Sequence, residues 1–450
     1  MSSGKHVAVL AFPFACHPLP LANLLHRMAE TATNVHFSFL STAKSNIDLF
    51  PPSWRAELPP NVVIYDIDDG LLAGHHGATR EEMAEQIDVF LKQSPKTFRA
   101  AIDAAERDAR KKVSCLFSDA LVFPACEIAE QMHVPWVMFW ILRQLRHTTC
   151  AGMAEAEADD EVLEMVPGLS VFRMSDIPDK MLQDPNTSLV SNFAYQLGRV
   201  LPRAAAVIMN SYVEANPAPL IADLKSRFKI LLHVGCRTAS FSLPPVLTTS
   251  TDLDPTGCLM WLDTKEPRSV AYICFGTVAI LSPTELSALA EALESTGTPF
   301  LWSIKEHMMV HLPEGFLERI GARGKIVSWA PQSRVLSHPA CGVYLTHCGY
   351  NSVIESVAGG VPMICKPFWT DNMMNGRLVR EWWGIGVGVE GGTITKSGMV
   401  KALEVVLRSE DGKKMRKKVG ELRERLVVAS GPGGSVEADF KALVELFSTT

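Results

Sequence analysis

Short apolar runs alternate along the chain with segments whose apolar residues recur at helical spacing. Residues 6–12 form a mainly apolar run, residues 19–29 carry apolar side chains at intervals of three and four, and residues 35–40 are rich in Val, Phe and Leu. Apolar runs of this length predict strands buried on both faces, and the intervening pattern predicts helices. The alternation therefore predicts a parallel α/β sheet. We predict further strands at residues 62–65, 113–117, 136–140 and 207–210, the last taken as the final strand of this half, and a helix at 125–132.

Residues 236–255 interrupt this alternation. They lack helical spacing and contain three prolines among serines and threonines, which is typical of a connection between domains. We therefore predict an N-terminal domain at 1–240 and a C-terminal domain at 241–450. The alternation resumes with strands at 269–274, 300–303, 325–328 and 343–346 and helices at 283–294, 333–337, 396–409 and 411–428. The expected fold class is α/β, with two doubly wound, Rossmann-like domains facing each other across a cleft, and the last helix is expected to pack back on the first domain.

Composition narrows the class of protein. The 450 residues are 47% apolar and 20% charged, which is enough apolar material for two cores. A formal net charge of −6, without a basic block, argues against a nucleic-acid partner. No apolar run reaches the roughly 18 residues of a membrane span, and the start lacks the pattern of a signal peptide, so we expect a cytoplasmic protein without membrane insertion. The ten cysteines occur singly, which favours reduced thiols over disulfides or structural zinc.

Residues 343–360 predict an anion site. A short apolar strand leads through a polar turn at 346–351 into a helix that is closed by two glycines. Free backbone N–H groups and the positive end of the helix dipole converge at such a turn. His347, Asn351 and Ser352 add side-chain donors, and Gly349 allows close approach to the backbone. We expect the anion to be a diphosphate.

Four residues follow predicted strands at their carboxyl ends, where ligands bind in open parallel sheets: His17, Asp119, Thr277 and His347. All four could reach one cleft between the domains. His17 is a candidate general base, because imidazole can take a proton from a hydroxyl group near neutral pH, and Asp119 is a candidate partner that would fix its tautomer. A single histidine in a loop is more often structural, so both interpretations stay open at this point.

Residues 329–372 match the signature of plant family 1 UDP-sugar-dependent glycosyltransferases. The match comprises a Trp-Ala-Pro-Gln start, the string His-Cys-Gly-Tyr-Asn-Ser-x-x-Glu and an Asp-Asn end. Four further strings resemble the flavonoid and anthocyanidin 3-O-glycosyltransferase branch: HVAVLAFPF before His17, SDA at Asp119, CFGT at Thr277 and LPEGFLERI from Leu312. This resemblance covers essentially the whole chain. It implies a GT-B fold, a UDP-sugar as donor and co-substrate, a flavonoid acceptor, and neither a prosthetic group nor a metal.

The resemblance also implies residue roles. His17 and Asp119 match the catalytic dyad, so the acceptor oxygen would attack the anomeric carbon with inversion while UDP departs. Trp329 would stack on uracil, although a core tryptophan is the alternative. Glu355 would bind the ribose hydroxyls, although with Ser352 it also fits a capping box. The donor contacts implied are Ile141, Thr277, Trp329, Ala330, Gln332, His347, Gly349, Tyr350, Asn351, Ser352, Glu355, Asp371 and Asn372.

Three departures from the family pattern bear on the donor sugar. Asn372 stands where relatives usually have Gln, Ile141 where they commonly have Thr, and Tyr350 where most have Trp. An apolar side chain at 141 would leave a sugar 6-hydroxyl unsatisfied but would pack against a methyl group. We therefore favour UDP-rhamnose, a 6-deoxy sugar donor, with UDP-glucose second and a pentose or galactose behind. Neutral drift in a glucosyltransferase is the alternative.

The acceptor site is predicted from apolar residues near sheet ends: Phe12, Phe14, Leu121 and Trp369. They suit a flat flavonol, but could equally be core. Cys150 aligns with a histidine that some relatives use to contact the acceptor, and residues 143–147 also depart from the usual pattern, so we expect an altered acceptor site.

Two alternatives to a 3-O-glycosyltransferase remain open. One is a non-catalytic protein that binds a UDP-sugar or a flavonoid. The other is a dinucleotide-dependent oxidoreductase, for which residues 386–391 offer Gly-x-Gly-x-x-Gly, but we interpret this stretch as a strand and a turn because no helix opens on its last glycine. We expect a monomer.

Overall fold

The structure is a computed structural model, and it describes residues 4–14, 17–51, 55, 57–70, 80–140, 167–177, 188–235, 254–276, 279–368 and 371–449. Its framework is two parallel sheets flanked by helices, so the predicted α/β fold class is confirmed.

The first sheet has seven strands in the order β3-β2-β1-β4-β5-β6-β7. Its strands are β1 His6–Leu10, β2 His36–Thr42, β3 Val62–Ile67, β4 Cys115–Asp119, β5 Trp136–Trp140, β6 Ala206–Met209 and β7 Leu231–His233. The expectation that β6 would be the final strand of this half is wrong, because β7 pairs with it in parallel. The order reverses direction at β1 and β4, and such a point is where ligands bind in doubly wound sheets.

The second sheet has six strands in the order β10-β9-β8-β11-β12-β13. Its strands are β8 Val270–Cys274, β9 Phe300–Ser303, β10 Gly324–Val327, β11 Cys341–Thr346, β12 Met363–Cys365 and β13 Gly386–Gly388. After β13 the chain turns through the short 3-10 segment Glu390–Gly392. The strand and turn predicted at 386–391 are therefore confirmed, and this glycine string does not form a dinucleotide loop.

Fifteen α-helices occur in the described residues. They are α1 Pro18–Thr31, α2 Ala43–Leu49, α3 Arg80–Ala109, α4 Ala125–Met132, α5 Leu189–Val200, α6 Ala218–Arg227, α7 Cys258–Leu262, α8 Pro283–Thr296, α9 Phe316–Ile320, α10 Gln332–Ser337, α11 Tyr350–Gly359, α12 Asp371–Arg377, α13 Lys396–Arg408, α14 Glu410–Ser430 and α15 Ser435–Thr449. Helix α8 shows how local sequence sets a boundary: Ser282 and Glu285 form a capping box, and Gly297 ends the helix in the left-handed conformation.

The last helix, α15, packs on the first sheet. Phe447 contacts the rings of Phe37 and Phe117 at centroid distances of 6.5 and 5.2 Å. The Asp439 carboxylate accepts a hydrogen bond from the backbone N–H of His233 at 2.6 Å. The predicted domain boundary at 240/241 falls outside the described residues and stays a prediction.

Two polar contacts connect segments next to the first sheet with helices next to the second sheet. Asp176 forms a buried ion pair with Arg377 of α12, at 2.9 Å. The Asn210 amide, directly after β6, donates to the Asn351 side-chain oxygen in α11 at 3.3 Å. Because Asn210 follows the carboxyl end of its strand and Asn351 lies just beyond that of β11, the carboxyl edges of the two sheets face each other.

In the part of the chain that the structure describes, none of the helices has the length and apolar character needed to cross a membrane.

Candidate functional site

His17 and Asp119 meet at the carboxyl edge of the first sheet. His17 lies at the start of α1, after β1, and Asp119 ends the adjacent strand β4. The Nδ1 atom of His17 is 2.9 Å from Oδ2 of Asp119, and the two side chains are 8% and 1% exposed. The other carboxylate oxygen accepts from the backbone N–H of Leu121 at 2.8 Å. A carboxylate at Nδ1 keeps the proton there, so Nε2 is left as the proton acceptor.

An aromatic wall stands beside this imidazole. The ring of Phe12 packs edge-on against His17 at 5.2 Å and lies 5.1 Å from Phe14. Phe90, in the middle of α3, contacts both phenylalanines at 5.9 and 5.6 Å. Phe12 and Phe90 are buried in one cluster of the first domain, against which Phe14 and Leu121 pack while partly buried. Three of the predicted acceptor residues therefore lie together near His17, and Phe90 joins them.

The strand, turn and helix predicted at 343–360 are present. Helix α11 begins after Gly349, and no side chain caps its first turn. The capping-box interpretation of Ser352 and Glu355 is therefore wrong: Ser352 lies inside the helix and Glu355 points elsewhere. The uncapped N–H groups suit an anion.

His347 is held between two glycines at this turn. A Cβ atom on Gly276 would lie 2.9 Å from the imidazole Cε1, and one on Gly349 would lie 2.4 Å from Nε2. Burial lowers the pKa of His347 to about 4, so its imidazole is neutral at pH 7. His347 therefore offers a neutral N–H donor to an anion.

Gln332 and Glu355 form a polar network beside this turn. The Gln332 amide donates to Oγ of Ser352 at 2.9 Å and to Oε2 of Glu355 at 2.5 Å. Ser333 donates to the other Glu355 oxygen, and the Tyr344 hydroxyl donates to Oε1 of Gln332 at 2.9 Å. Burial raises the pKa of Glu355, and the hydrogen bonds from Ser333 and Gln332 oppose that rise. The carboxylate is thus placed to accept hydrogen bonds from hydroxyl groups.

Trp329 lies just after β10 and is 43% exposed, whereas the next residue, Ala330, is buried. A core tryptophan is therefore excluded. The exposed indole leaves a flat surface on which an aromatic base can stack.

Asp371 and Asn372 begin α12 and are both buried. The Asn372 amide donates to Asp371 at 3.3 Å. The Asn375 amide donates to the other Asp371 oxygen at 2.9 Å and to the carbonyl of Cys348 at 3.0 Å. Asn375, which the sequence analysis missed, thereby ties this helix to the His347 turn; the only signal was its position four residues after Asp371. Tyr350 is buried in the core of the second domain.

Four predicted site residues lie outside the described residues: Ile141, Cys150, Thr277 and Trp369. Residues 143–147 do so as well. The predictions for them are unchanged. Within the described residues, no group of three or more His, Cys, Asp or Glu side chains could hold a metal ion.

Comparison with known proteins bears on this site. The model of the family described as UDP-glucoronosyl and UDP-glucosyl transferase matches residues 102–423. A flavonol 3-O-glucosyltransferase of Actinidia chinensis var. chinensis is 42% identical over 460 residues, covering 100% of this chain and 98% of the relative. An anthocyanidin 3-O-galactosyltransferase of the same plant is 41% identical over 458 residues, covering 99% and 98%. A crystal structure of UDP-glucose: anthocyanidin 3-O-glucosyltransferase in complex with UDP matches with a TM-score of 0.92 and 39% identity, covering 100% of both chains.

Proposed function

Because the chain belongs to the UDP-glucoronosyl and UDP-glucosyl transferase family, in the branch of plant flavonol and anthocyanidin 3-O-glycosyltransferases, we propose that it transfers a sugar from a UDP-sugar to the 3-hydroxyl group of a flavonol. It is a UDP-glycosyltransferase with the GT-B fold, and its co-substrate is a UDP-sugar. The observation that carries the proposal is the buried hydrogen bond between His17 and Asp119, at the sheet edge that faces the turn at 346–351.

In this proposal the donor lies along the carboxyl edge of the second sheet. The diphosphate accepts hydrogen bonds from the uncapped start of α11 and from neutral His347, uracil stacks on Trp329, and the ribose hydroxyls donate to Glu355. Gln332 and Ser333, which now donate to Glu355, hold its carboxylate in place for that contact. Asp371 is within reach of the sugar because Asn375 fixes it beside the turn.

The chemical step is one proton transfer and one displacement. His17 Nε2 takes the proton of the acceptor hydroxyl while that oxygen attacks the anomeric carbon from the face opposite UDP, which inverts the configuration. Asp119 stabilises the imidazolium that forms. The negative charge that develops on the departing UDP is stabilised by the helix N-terminus and by the His347 donor. Phe12, Phe14 and Leu121 would pack on the flat acceptor and keep its hydroxyl near His17.

The donor sugar is the finer part of the proposal. The relatives named above transfer glucose and galactose, which favours UDP-hexoses. Two residues favour UDP-rhamnose instead: Ile141, by its apolar character, and Asn372, whose short amide donates to Asp371 rather than extending away from it. We retain UDP-rhamnose as the preferred donor and test it directly.

The test incubates the protein with a flavonol and, separately, UDP-rhamnose, UDP-glucose and UDP-galactose, and identifies products by mass. A flavone, which lacks the 3-hydroxyl group, is the matched acceptor control. We expect one glycoside with the flavonol and none with the flavone. A product from UDP-glucose but not from UDP-rhamnose would reject the proposed donor preference and leave the proposed reaction intact. UDP binding without a product from any donor would show that the protein binds the donor without catalysing transfer. Ile141→Thr combined with Asn372→Gln should shift the ratio of the kcat/KM values toward UDP-glucose.

A further inference from the structure

A basic cleft lies at the other end of the second sheet. It encloses about 530 Å³ and is lined by residues directly before β8 and β11, by the turn after α11, and by one side of α14. These segments meet at the amino ends of the parallel strands. The candidate donor site lies at the carboxyl ends, so the two sites are on opposite edges of one sheet.

Three arginines line this cleft, Arg268, Arg416 and Arg423, and the charge of Arg268 is close enough to act on Arg416. Among the residues that the structure describes, none of the three forms an ion pair with a carboxylate. Arg319 and Arg377, by contrast, pair with Glu294 and Asp176. Three unpaired cations in one cleft are unexpected in a protein with a formal net charge of −6.

Arg268 occupies a strained backbone position. Its φ is 59°, in the left-handed region, which is unfavourable for a residue with a Cβ atom. Its backbone N–H donates to the carbonyl of Pro339 at 2.9 Å, and a Cβ atom on Gly342 would lie 2.2 Å from its carbonyl oxygen. The surrounding backbone therefore fixes the direction in which this arginine leaves the chain.

Arg416 is fixed as well. Its Nη1 atom donates to the carbonyl of Val406 at 2.6 Å. Burial lowers the pKa of Arg416, and the nearby positive charge of Arg268 lowers it further. His338 also lines the cleft but has no free donor, since its Nδ1 accepts from Ala340 at 3.2 Å and its Nε2 lies 3.1 Å from Asp263.

We propose that this cleft binds a small phosphate-bearing anion, held by Arg268, Arg416 and Arg423. The planar guanidinium group matches phosphate oxygens in pairs, and that of Arg416 is already held by its contact with the Val406 carbonyl. The volume is within the range of small-ligand pockets and exceeds what inorganic phosphate alone would fill. The occupant is therefore either free phosphate or the phosphate group of a larger metabolite.

Calorimetric titration of the full chain tests this proposal. The protein is first saturated with UDP, so that the donor site is filled, and is then titrated at constant ionic strength with inorganic phosphate and with glucose 6-phosphate. We expect one saturable site. Tighter binding of the ester identifies an organic phosphate, and equal affinity identifies phosphate as sufficient.

Charge-neutral variants locate the site. Arg268→Gln and Arg423→Gln should each weaken binding about tenfold, the effect of losing one charge-assisted hydrogen bond. Arg425→Gln is the matched control, because Arg425 lies on the same helix as Arg423 but does not line this cleft. Absence of a saturable site, or an equal loss in Arg425→Gln, would overturn the proposal. Thermal unfolding provides a second measurement. Phosphate should raise the Tm of the wild type and of Arg425→Gln more than that of Arg423→Gln. Residue 423 is at an exposed helix position, where the substitution leaves the fold intact.

Discussion

The carboxylate of Asp176 accepts hydrogen bonds from Nε of Arg377 at 2.9 and 3.2 Å, and so connects the first domain to the helix that carries Asp371. Asp176 also accepts from the backbone N–H of Arg173. Asp176→Asn should lower the free energy of unfolding by about 1–3 kcal/mol, because the mostly buried Arg377 charge is left with only the exposed Glu381 carboxylate, 4.0 Å away, and should raise KM for the UDP-sugar.

Urea unfolding measures the first effect and steady-state kinetics the second. Asp223→Asn is the control, because its ion pair with Arg227 is on the surface of one helix and should be worth about 0.5 kcal/mol. Equal losses in the two variants would show that the contact between Asp176 and Arg377 has no special role.

Removal of the proposed base should separate chemistry from donor binding. His17→Ala should lower kcat by about 10²- to 10⁴-fold, and Asp119→Asn should also lower it because the tautomer is no longer fixed. Kd for UDP, measured by calorimetry, should stay near the wild-type value in both. His311→Ala, at an exposed position, serves as the control. Activity retained in His17→Ala would remove this residue from the base role.

Glu355 is predicted to recognise ribose. The wild-type protein should bind UDP at least about tenfold more tightly than it binds an analogue without the 2′- and 3′-hydroxyl groups. Each lost hydrogen bond to a charged group costs roughly 1.5–3 kcal/mol of binding free energy. Glu355→Gln should discriminate less between the two ligands. If both proteins lose affinity equally, Glu355 serves only to hold Gln332 and Ser333.

Two half-buried histidines whose pKa values are lowered in the folded protein, His36 and His347, should make the fold sensitive to acid. In the folded protein the pKa values of His36 and His347 are about 4, mainly through burial, against 6.5 for an unperturbed histidine. Between these values the unfolded chain binds the protons and the folded protein does not. The free energy of unfolding should therefore be highest above pH 6.5 and fall as the pH drops toward 4.

The urea midpoint, followed from about pH 7.5 to about pH 5, measures this dependence. His6 and Lys111 face His36 and add to the lowering of its pKa. His36→Gln should make the loss shallower, whereas His307→Gln, at an exposed position, should leave it unchanged. If the urea midpoint falls equally steeply with pH in the wild type and in both variants, His36 is not a source of the acid sensitivity.

Features that depend on residues close together in the chain could be predicted from the sequence. A mainly apolar run of seven residues identified β1, a short apolar segment before a polar turn identified β11, and the string at 346–355 identified the turn and helix of the donor site. The strands β7 and β12 were not predicted, and β13 was predicted only as an isolated strand. Each has three residues, which are too few to establish a period.

Contacts between distant positions could not be predicted. Asp176 and Arg377 are 201 positions apart, and Phe90 joins the wall beside His17 from the middle of a 30-residue helix without a motif of its own. The pairing of His17 with Asp119 was inferred from a family resemblance, and its geometry follows from the adjacency of β1 and β4, which no local pattern specifies.

The packing of α15 on the first sheet has a consequence for how the chain folds during synthesis. Phe440, Leu443 and Phe447 complete an apolar cluster whose other members lie mainly within the first half of the chain. While only the first half of the chain has left the ribosome, α1 covers part of this sheet face but the part under α15 stays exposed, and exposed apolar surface is prone to aggregation. This one cluster of the first domain is therefore completed only after the end of the chain has been synthesised.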